Sequence, residues 1–250
     1  MTAPHFFVER LGGVEPGAVV DLSPGDSRHA LRALRLRAGE GVTLADGAGG
    51  FARGRIAAAA TESARAPIAR VEILEVEVRV PPSPRVVVTM AAPKGDRLSW
   101  AVQKLTEVGV DGLVLLEDTE RAVRAAGERG SARSERLRRI AREAAMQSRR
   151  PFVMEIAAAG FEQALAPDEG LLLMLWEGAE EPMRAALETA APPASVRLLV
   201  GPEGSFSEAE VDRARTAGAR MVSLGPGILR TETAALAAAI IALNVLGRLG

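Results

Sequence analysis

The chain of 250 residues contains no cysteine, which excludes disulfides, thiolate metal sites and a cysteine nucleophile. Its two histidines, His5 and His29, are too few to make a serine-type triad inviting, and with no thiolate beside them no bound metal is expected. There is no Walker A spacing and no Gly-x-Gly-x-x-Gly after a strand-like run, so nucleoside triphosphate hydrolysis and a dinucleotide fold lack their signatures. No apolar run reaches the length of a membrane helix and no charged leader precedes one, so a cytoplasmic protein without membrane attachment is expected. Lysine is almost absent while alanine and arginine abound, a bias that reads as base composition rather than function.

A net charge of −1 conceals an uneven distribution. Residues 121–150 hold ten arginines against three acids, whereas residues 151–250 hold seven basic and thirteen acidic residues. The first segment is a candidate polyanion surface and the second is not. With 48% hydrophobic residues, the chain can build one large core or two modest ones. Pro81-Pro82-Ser83-Pro84 divides it, because clustered prolines continue neither a helix nor a central strand.

Before this linker, short strand-like runs at 19–22, 41–44 and 66–80 are separated by glycine-rich turns. One helix interrupts them: Ser23 is its N-cap, Pro24 its first residue and Asp26 completes the box, and it runs to about Leu34. Arg28, Arg32, Arg35 and Arg37 crowd this helix and its exit, and Arg53 and Arg55 follow the Asp46-Gly47 turn. Charge alone does not distinguish this cluster from a solvated face. After the linker, strands at 85–91, 112–116, 153–156, 171–176, 196–200 and 221–224 alternate with helices at 97–108, 134–147, 182–189 and 208–217 and a terminal helix ending near Leu246. This alternation predicts an α/β unit with a mostly parallel sheet covered by helices on both faces.

Two loops near the carboxyl terminus are the strongest site candidates. Gly201-Pro202-Glu203-Gly204-Ser205-Phe206-Ser207 follows a strand-like run, and Ser207 with Glu210 has capping-box spacing. The loop therefore joins a strand end to a helix N-terminus, where unpaired N–H groups gather. Leu224-Gly225-Pro226-Gly227-Ile228-Leu229-Arg230-Thr231-Glu232-Thr233-Ala234 repeats the plan, with Thr231 as the expected N-cap. Open α/β sheets bind ligands at such turns, where glycine admits a close approach of backbone and proline stiffens the loop. Either loop alone also reads as a plain turn.

Together, and with Ile228–Ala234 closing the second, the loops resemble those of the RsmE-type 16S rRNA uridine-N3 methyltransferases of the SPOUT (trefoil-knot) superfamily. Order and spacing agree along nearly the whole chain. His29 with Leu34-Arg35 and Gly39, then Asp46-Gly47, Lys94–Arg97 with Gln103–Val110, Glu120-Arg121 and Glu143–Arg150 are each similar to a family segment. The resemblance implies a β-rich, PUA-like RNA-binding domain at residues 1–80 and a knotted SPOUT methyltransferase domain at 81–250. It also implies S-adenosylmethionine as methyl donor, 16S rRNA or the small ribosomal subunit as partner, and a homodimer. Periodicity alone cannot reveal the knot.

On that resemblance the cofactor is expected against Leu199, Gly201, Pro202, Glu203, Gly204, Leu224, Gly225, Ile228, Leu229, Arg230 and Thr231. Trp176 and Glu177 form a further wall or, equally, a strand end with an interior tryptophan. Methylating N3 of uracil removes a proton from a weakly acidic imide. Arg230 is therefore a candidate for stabilising charge on the uracil carbonyl oxygens, and Glu232 for positioning or accepting the proton. Alternatively, Glu232 complements the N-end of the terminal helix and Arg230 pairs with it. N3 lies on the Watson–Crick edge, so the base must be unpaired or flipped out. Arg35, Lys94, Arg97, Arg121, Arg149 and Arg150 are the candidate phosphate contacts.

The terminal helix is apolar around most of its circumference, which implies burial on several sides, in a dimer or within one subunit. The chain departs from the family pattern at Ser205, usually glycine, at Gly227, usually arginine, and at His5, usually a basic residue. Two rival readings stand beside the main one. One is another SPOUT methyltransferase acting on tRNA or a ribose oxygen. The other is a noncatalytic RNA-binding or ribosome-assembly protein, which the missing cation at Gly227 leaves open.

Overall fold

A computed structural model describes residues 3–57, 68–117, 130–167, 169–191 and 193–249. The chain divides into two compact units, Met1–Pro81 with Ala145–Val153, and Pro82–Ala144 with Met154–Gly250. The first unit thus includes a short later segment that the sequence division at residue 80 did not assign to it.

The first unit is a five-stranded sheet in the order β1 (His5–Phe7), β3 (Gly41–Ala45), β4 (Gly50–Ile56), β5 (Arg70–Val78), β2 (Val19–Asp21). β1 runs parallel to β3 and the other pairs are antiparallel. Alternate side chains of these strands, among them Val42, Leu44, Val71 and Ile73, meet Phe6 and Leu22 in one core. α1 (Pro24–Arg28) begins as expected, with Ser23 Oγ accepting from the Asp26 N–H at 3.1 Å, and continues as a π turn over His29–Ala33. The expected basic cluster is smaller than its sequence suggested. Arg53 and Arg55 face Glu75 and Glu72 across β4 and β5 and pair with them. The segment 145–153 completes a second small core, in which Ala145 packs with Phe7, Ala45 and Phe51.

His5 is buried, its ring stacked on Phe51 with centroids 5.9 Å apart and its Nδ1 sharing a 2.8 Å hydrogen bond with Thr43 Oγ1. Burial pushes its pKa down from 6.5 to about 4; a backbone hydrogen bond at Arg150 opposes the fall, and the charges of Arg149 and Arg79 add to it. The unfolded chain therefore takes up this proton at higher pH than the folded one. Stability from this site is whole above about pH 6.5 and is lost as pH falls toward 4, by on the order of 2 kcal/mol. His5→Gln keeps a hydrogen bond to Thr43 but does not titrate. Urea unfolding should show a shallower pH dependence between pH 6.5 and 4 for this variant than for wild type; equal slopes would refute the assignment.

The second unit comprises β6 (Arg85–Ala91), α2 (Arg97–Val108), β7 (Gly112–Leu116), α3 (Gly130–Gln147), β8 (Glu155–Ala159), α4 (Phe161–Ala164), β9 (Leu171–Leu175), α5 (Met183–Thr189), β10 (Ser195–Val200), α6 (Glu208–Thr216), β11 (Arg220–Val222) and α7 (Thr231–Val245). The last turn of α3, from Ala145, belongs to the first unit. All six strands are parallel, in the order β11-β9-β10-β6-β7-β8. Successive residues Leu198 and Leu199 of β10 are both fully buried, as a sheet covered on both faces requires. β11 lies at the edge beside β9, yet α7 packs on α2, α5, β6 and β10, so the chain crosses back over the sheet after β11. This return is the segment that the family resemblance implies is threaded through a knot.

Behind α7, Arg248 closes the unit. Its guanidinium makes a bidentate pair with Asp111, at 2.6 and 2.9 Å, and donates to the carbonyls of Pro84 and Gly109. Asp111 also accepts from the Val86 N–H at 2.7 Å. Both side chains are largely buried, so removing one partner strands the other in a poor solvent. Arg248→Met should cost about 3 kcal/mol in chemical denaturation, and a loss below roughly 0.5 kcal/mol would show that the clamp contributes little.

Candidate active site

The three strands β9, β10 and β11 end at one level, because Val200 and Val222 are both in register with Leu175. The loops that leave them surround a cleft of about 600 Å³. Thr231 Oγ1 donates to the carbonyl of Gly201 at 3.0 Å, joining the end of the loop after β11 to the start of the loop after β10. Thr231 was expected to cap its own helix. Instead Arg230 occupies the N-cap position without a side-chain cap, and Thr231 is the first helical residue, with its hydroxyl turned to Gly201. The third loop, after β9, is laced to the second: the Met183 N–H donates to the Ser223 carbonyl at 2.9 Å and the Ser223 N–H to the Glu181 carbonyl at 2.8 Å.

Local sequence explains each turn. Ser207 and Glu210 form the reciprocal capping box that starts α6, with bonds of 3.2 and 2.8 Å. Gly225 has a φ of 120°, which side-chain-bearing residues rarely adopt. At Gly201 the reason for glycine differs from the one expected. A Cβ there would lie 3.0 Å from Phe206 Cδ2 and 3.3 Å from Phe206 N, so the bare backbone makes room for that ring. Ser205, where relatives of the resembled family usually have glycine, has a φ of 61°.

Of the expected cofactor residues, Trp176, Glu177, Gly201, Pro202, Leu224, Gly225, Ile228, Leu229 and Thr231 line the cleft. Leu199, Glu203, Gly204 and Arg230 do not. Leu199 is wholly buried in the apolar core with Met174 and Phe206. Glu203 forms an ion pair with Arg97 instead. Arg230 and Gly204 are exposed. Sequence reasoning missed Glu180, Pro182, Met183 and Arg184, which line the cleft from the third loop and the start of α5. The signal was present in Trp176-Glu177-Gly178, a strand end followed by glycine, but only the strand order places β9 between the other two.

Glu232 is 6% exposed and outside the cleft lining. Its Oε1 lies 4.0 Å from Arg97 Nη1, and its Oε2 is buried without a hydrogen-bond partner. Arg97, expected at a phosphate, is thus engaged by carboxylates. Lys94 is exposed, and its carbonyl accepts from Arg97 Nε at 3.3 Å. Arg35 and Arg149 are exposed in the first unit, each at positive φ, 55° and 57°. Arg150 is half-buried in the same unit, and Arg121 lies outside the described residues. The cleft itself presents Glu177, Glu180 and Arg184 around apolar walls, a lining suited to a flat ligand with positive charge.

The model of an RNA methyltransferase domain matches residues 81–243, and that of an RNA methyltransferase PUA domain matches residues 22–66. The chain is 33% identical to the ribosomal RNA small subunit methyltransferase E of Mycobacterium tuberculosis, over 95% of this chain and 90% of that one. It belongs to the small subunit methyltransferase E family. The Synechocystis member is also 33% identical, over 87% of this chain and 70% of its own length. A crystal structure of the Neisseria gonorrhoeae enzyme bound to S-adenosyl methionine matches with a TM-score of 0.82 at 29% identity, covering 97% of this chain and 98% of that one. The first unit is accordingly PUA-like and the second is the methyltransferase unit.

Within this family member, Ser205 carries a cost that glycine would avoid, because a side chain in the left-handed region is disfavoured by about 1 kcal/mol. Ser205→Gly should leave stability unchanged or raise it by up to about 1 kcal/mol in thermal or urea unfolding. A clear loss would mean that the serine side chain supports the loop.

Proposed function

We propose that the chain is an S-adenosylmethionine-dependent methyltransferase acting on N3 of one uridine in 16S rRNA of the small ribosomal subunit. The observation that carries this reading is the cleft itself, formed where three parallel strands end together and closed by the Thr231–Gly201 hydrogen bond. Family membership supports the substrate class, and the donor bound to the Neisseria relative supports the cofactor.

The residues present fit that donor. Trp176, Leu224, Ile228 and Leu229 offer apolar faces for an adenine ring, and Glu177 and Glu180 place negative charge around a cationic ligand. When bound, S-adenosylmethionine supplies an electrophilic methyl group. The chain must then orient the uridine and take one proton from N3 as the methyl arrives, so that the base stays neutral. In this reading Glu232, next to Thr231 in the first turn of α7, positions or accepts that proton, and Arg230, exposed at the start of α7, answers charge on the uracil carbonyl oxygens. Gly201, Pro202, Gly225 and Thr231 hold the donor through main chain and hydroxyl, while Leu199 supports the cleft from the core and Glu203 and Gly204 lie outside its lining.

Arg35, Arg149 and Arg150 on the PUA-like unit, with Lys94 on the other, are proposed to hold phosphates, and Arg121 joins them by resemblance. The domain division proposed is residues 1–80 and 81–250, with 145–153 contributing to the first. A homodimer is part of the reading: Ile240 on α7 remains 39% exposed after the packing of that helix within the chain, which supports a second copy covering it. A ribosomal substrate places the protein in the cytoplasm.

Two measurements test this. Calorimetry should show binding of S-adenosylmethionine, weakened about tenfold or more in Thr231→Val, which leaves the Gly201 carbonyl without its donor. Reverse transcription of 16S rRNA should lose one arrest in a strain lacking the gene and regain it on complementation, because N3 methylation blocks base pairing. RNA binding with no heat from the donor would instead favour a noncatalytic protein, and an arrest lost from tRNA would move the substrate.

A further inference from the structure

The loop after β9 is rich in acid, with Glu177, Glu180 and Glu181 inside five consecutive residues. Like charges so close repel one another. Glu177 and Glu180 line the cleft, whereas Glu181 lies outside the lining and pairs with Arg220 on β11. Arg184, the cation that lines the cleft from the start of α5, is paired with Glu188 at 2.7 Å, which leaves Glu181 to Arg220.

Arg220 does more than neutralise one acid. Its Nη2 and Nε donate to the two carboxylate oxygens of Glu181, the second at 3.3 Å. Its Nη1 donates to the Ala186 carbonyl at 2.9 Å, and Nη2 also reaches Thr189 Oγ1 at 3.2 Å. Ala186 is among the last four residues of α5, whose carbonyls have no partner within their own helix. An isolated surface ion pair contributes little, but a bidentate pair inside a network holds a geometry. One side chain on the edge strand thus grips the loop just before α5 and the far end of α5 itself.

The segment held in this way is a wall of the cleft. At its start the Ala179 N–H reaches back to the Trp176 carbonyl at 3.1 Å, and the indole lies on Gly178, where an added Cβ would stand 2.5 Å from Trp176 Cη2. The place of the ring therefore depends on the course of the loop. At its end the backbone bonds between Glu181, Met183 and Ser223 lay the chain beside the continuation of β11, three residues beyond Arg220.

We propose that Arg220, which lies outside the cleft lining, is a positioning residue for the methyl donor: by holding Glu181 and the end of α5 it keeps Trp176, Glu180 and Met183 in place as a wall before the donor arrives. This rests on the reading of the cleft as the donor site. A loop that is in place only part of the time weakens binding by that fraction, whereas a wall already formed carries no ordering cost. Once the donor is bound the wall is complete, so the rate at saturating donor is unaffected.

The test uses the full-length protein carrying Trp100→Phe, which leaves Trp176 as its one tryptophan. S-Adenosylmethionine is titrated by calorimetry well below the unfolding midpoint, and acrylamide quenching of Trp176 is read without donor. Arg220→Met in this parent should raise the donor Kd about tenfold, with kcat at saturating donor and the Kd for small ribosomal subunits moving less than about threefold. Quenching should be stronger than in the parent, because the ring no longer rests on Gly178. Arg220→Lys keeps the charge without the fork and Glu181→Gln keeps an acceptor without the charge, so both should fall between. A donor Kd within about twofold of the parent overturns the proposal. So does a raised Kd with unaltered quenching, which would mean that Arg220 meets the donor itself. Should Arg220→Met not fold, Arg220→Lys and Glu181→Gln decide by the same two readouts. If the parent gives no heat with the donor, the donor-site reading fails, while a quenching difference would still establish that Arg220 sets the loop.

Discussion

Thr231 donates its hydroxyl proton to the carbonyl of Gly201, and in doing so ties the beginning of the last helix to the end of a central strand thirty residues earlier. The threonine is 3% exposed, so its hydroxyl has little access to water as an alternative partner. The geometry of the cleft depends on it. β9, β10 and β11 deliver their loops to one level, but parallel strands alone do not bring loops together over a ligand. The first loop is stiffened by Pro202, by a Ser205 N–H bond to the Pro202 carbonyl at 2.9 Å and by the capping box at Ser207. The second is stiffened by its lacing to the third. The Thr231–Gly201 hydrogen bond then links the two stiffened turns, which is what a preorganised site requires.

Much of this was legible in the sequence because it is written in local signals. The strand at 85–91, the helix at 97–108 and the strand at 112–116 have the same bounds in the structure, since each is a long apolar or periodic run closed by a turn residue. The capping box at Ser207 was readable for the same reason. What escaped was long-range or short. β1 and α4 have three and four residues, too few to display a period. The place of residues 145–153 depends on Ala145 meeting Phe7 and Phe51, a contact with no trace in spacing. The hydroxyl of Thr231 satisfied a capping rule on paper, but a carbonyl thirty residues away won it. The ion pair of Arg97 left no trace in spacing either, because Glu203 lies more than a hundred residues away on the loop after β10.

Backbone strain marks the same segments from another direction. Arg35, Arg149 and Ser205 are the non-glycine residues with positive φ among those described. The two arginines occupy equivalent places. After α1 and its π turn, the Leu36 N–H reaches back to the Ala30 carbonyl at 2.9 Å, with Arg35 in between; after α3, the Arg150 N–H reaches the Ala145 carbonyl at 2.8 Å, with Arg149 in between. Both are helix ends of the kind that glycine ordinarily closes. Keeping a long cationic side chain there costs roughly 1 kcal/mol of backbone strain each. Both residues are exposed on the PUA-like unit, so the strain is held at its surface and not in its core.

The departure at Gly227 can be weighed in the same physical terms. A Cβ at this position would meet nothing within 4 Å, so the backbone does not require glycine and space is not what excludes a larger residue. The consequence is electrostatic. Arg230 is the cation left on the stretch from Ser223 to Thr231, and its side chain is exposed rather than folded into the cleft. Charge at the mouth of the site therefore rests on Arg230 beside the Arg184 of the cleft lining, while Arg97 pairs with Glu203 and stands 4.0 Å from Glu232 outside that lining. Electrostatic attraction brings RNA to a surface without choosing a base, whereas contacts to base edges carry the choice. A missing cation at Gly227 therefore weakens attraction at the rim and leaves the lining of the cleft as it is.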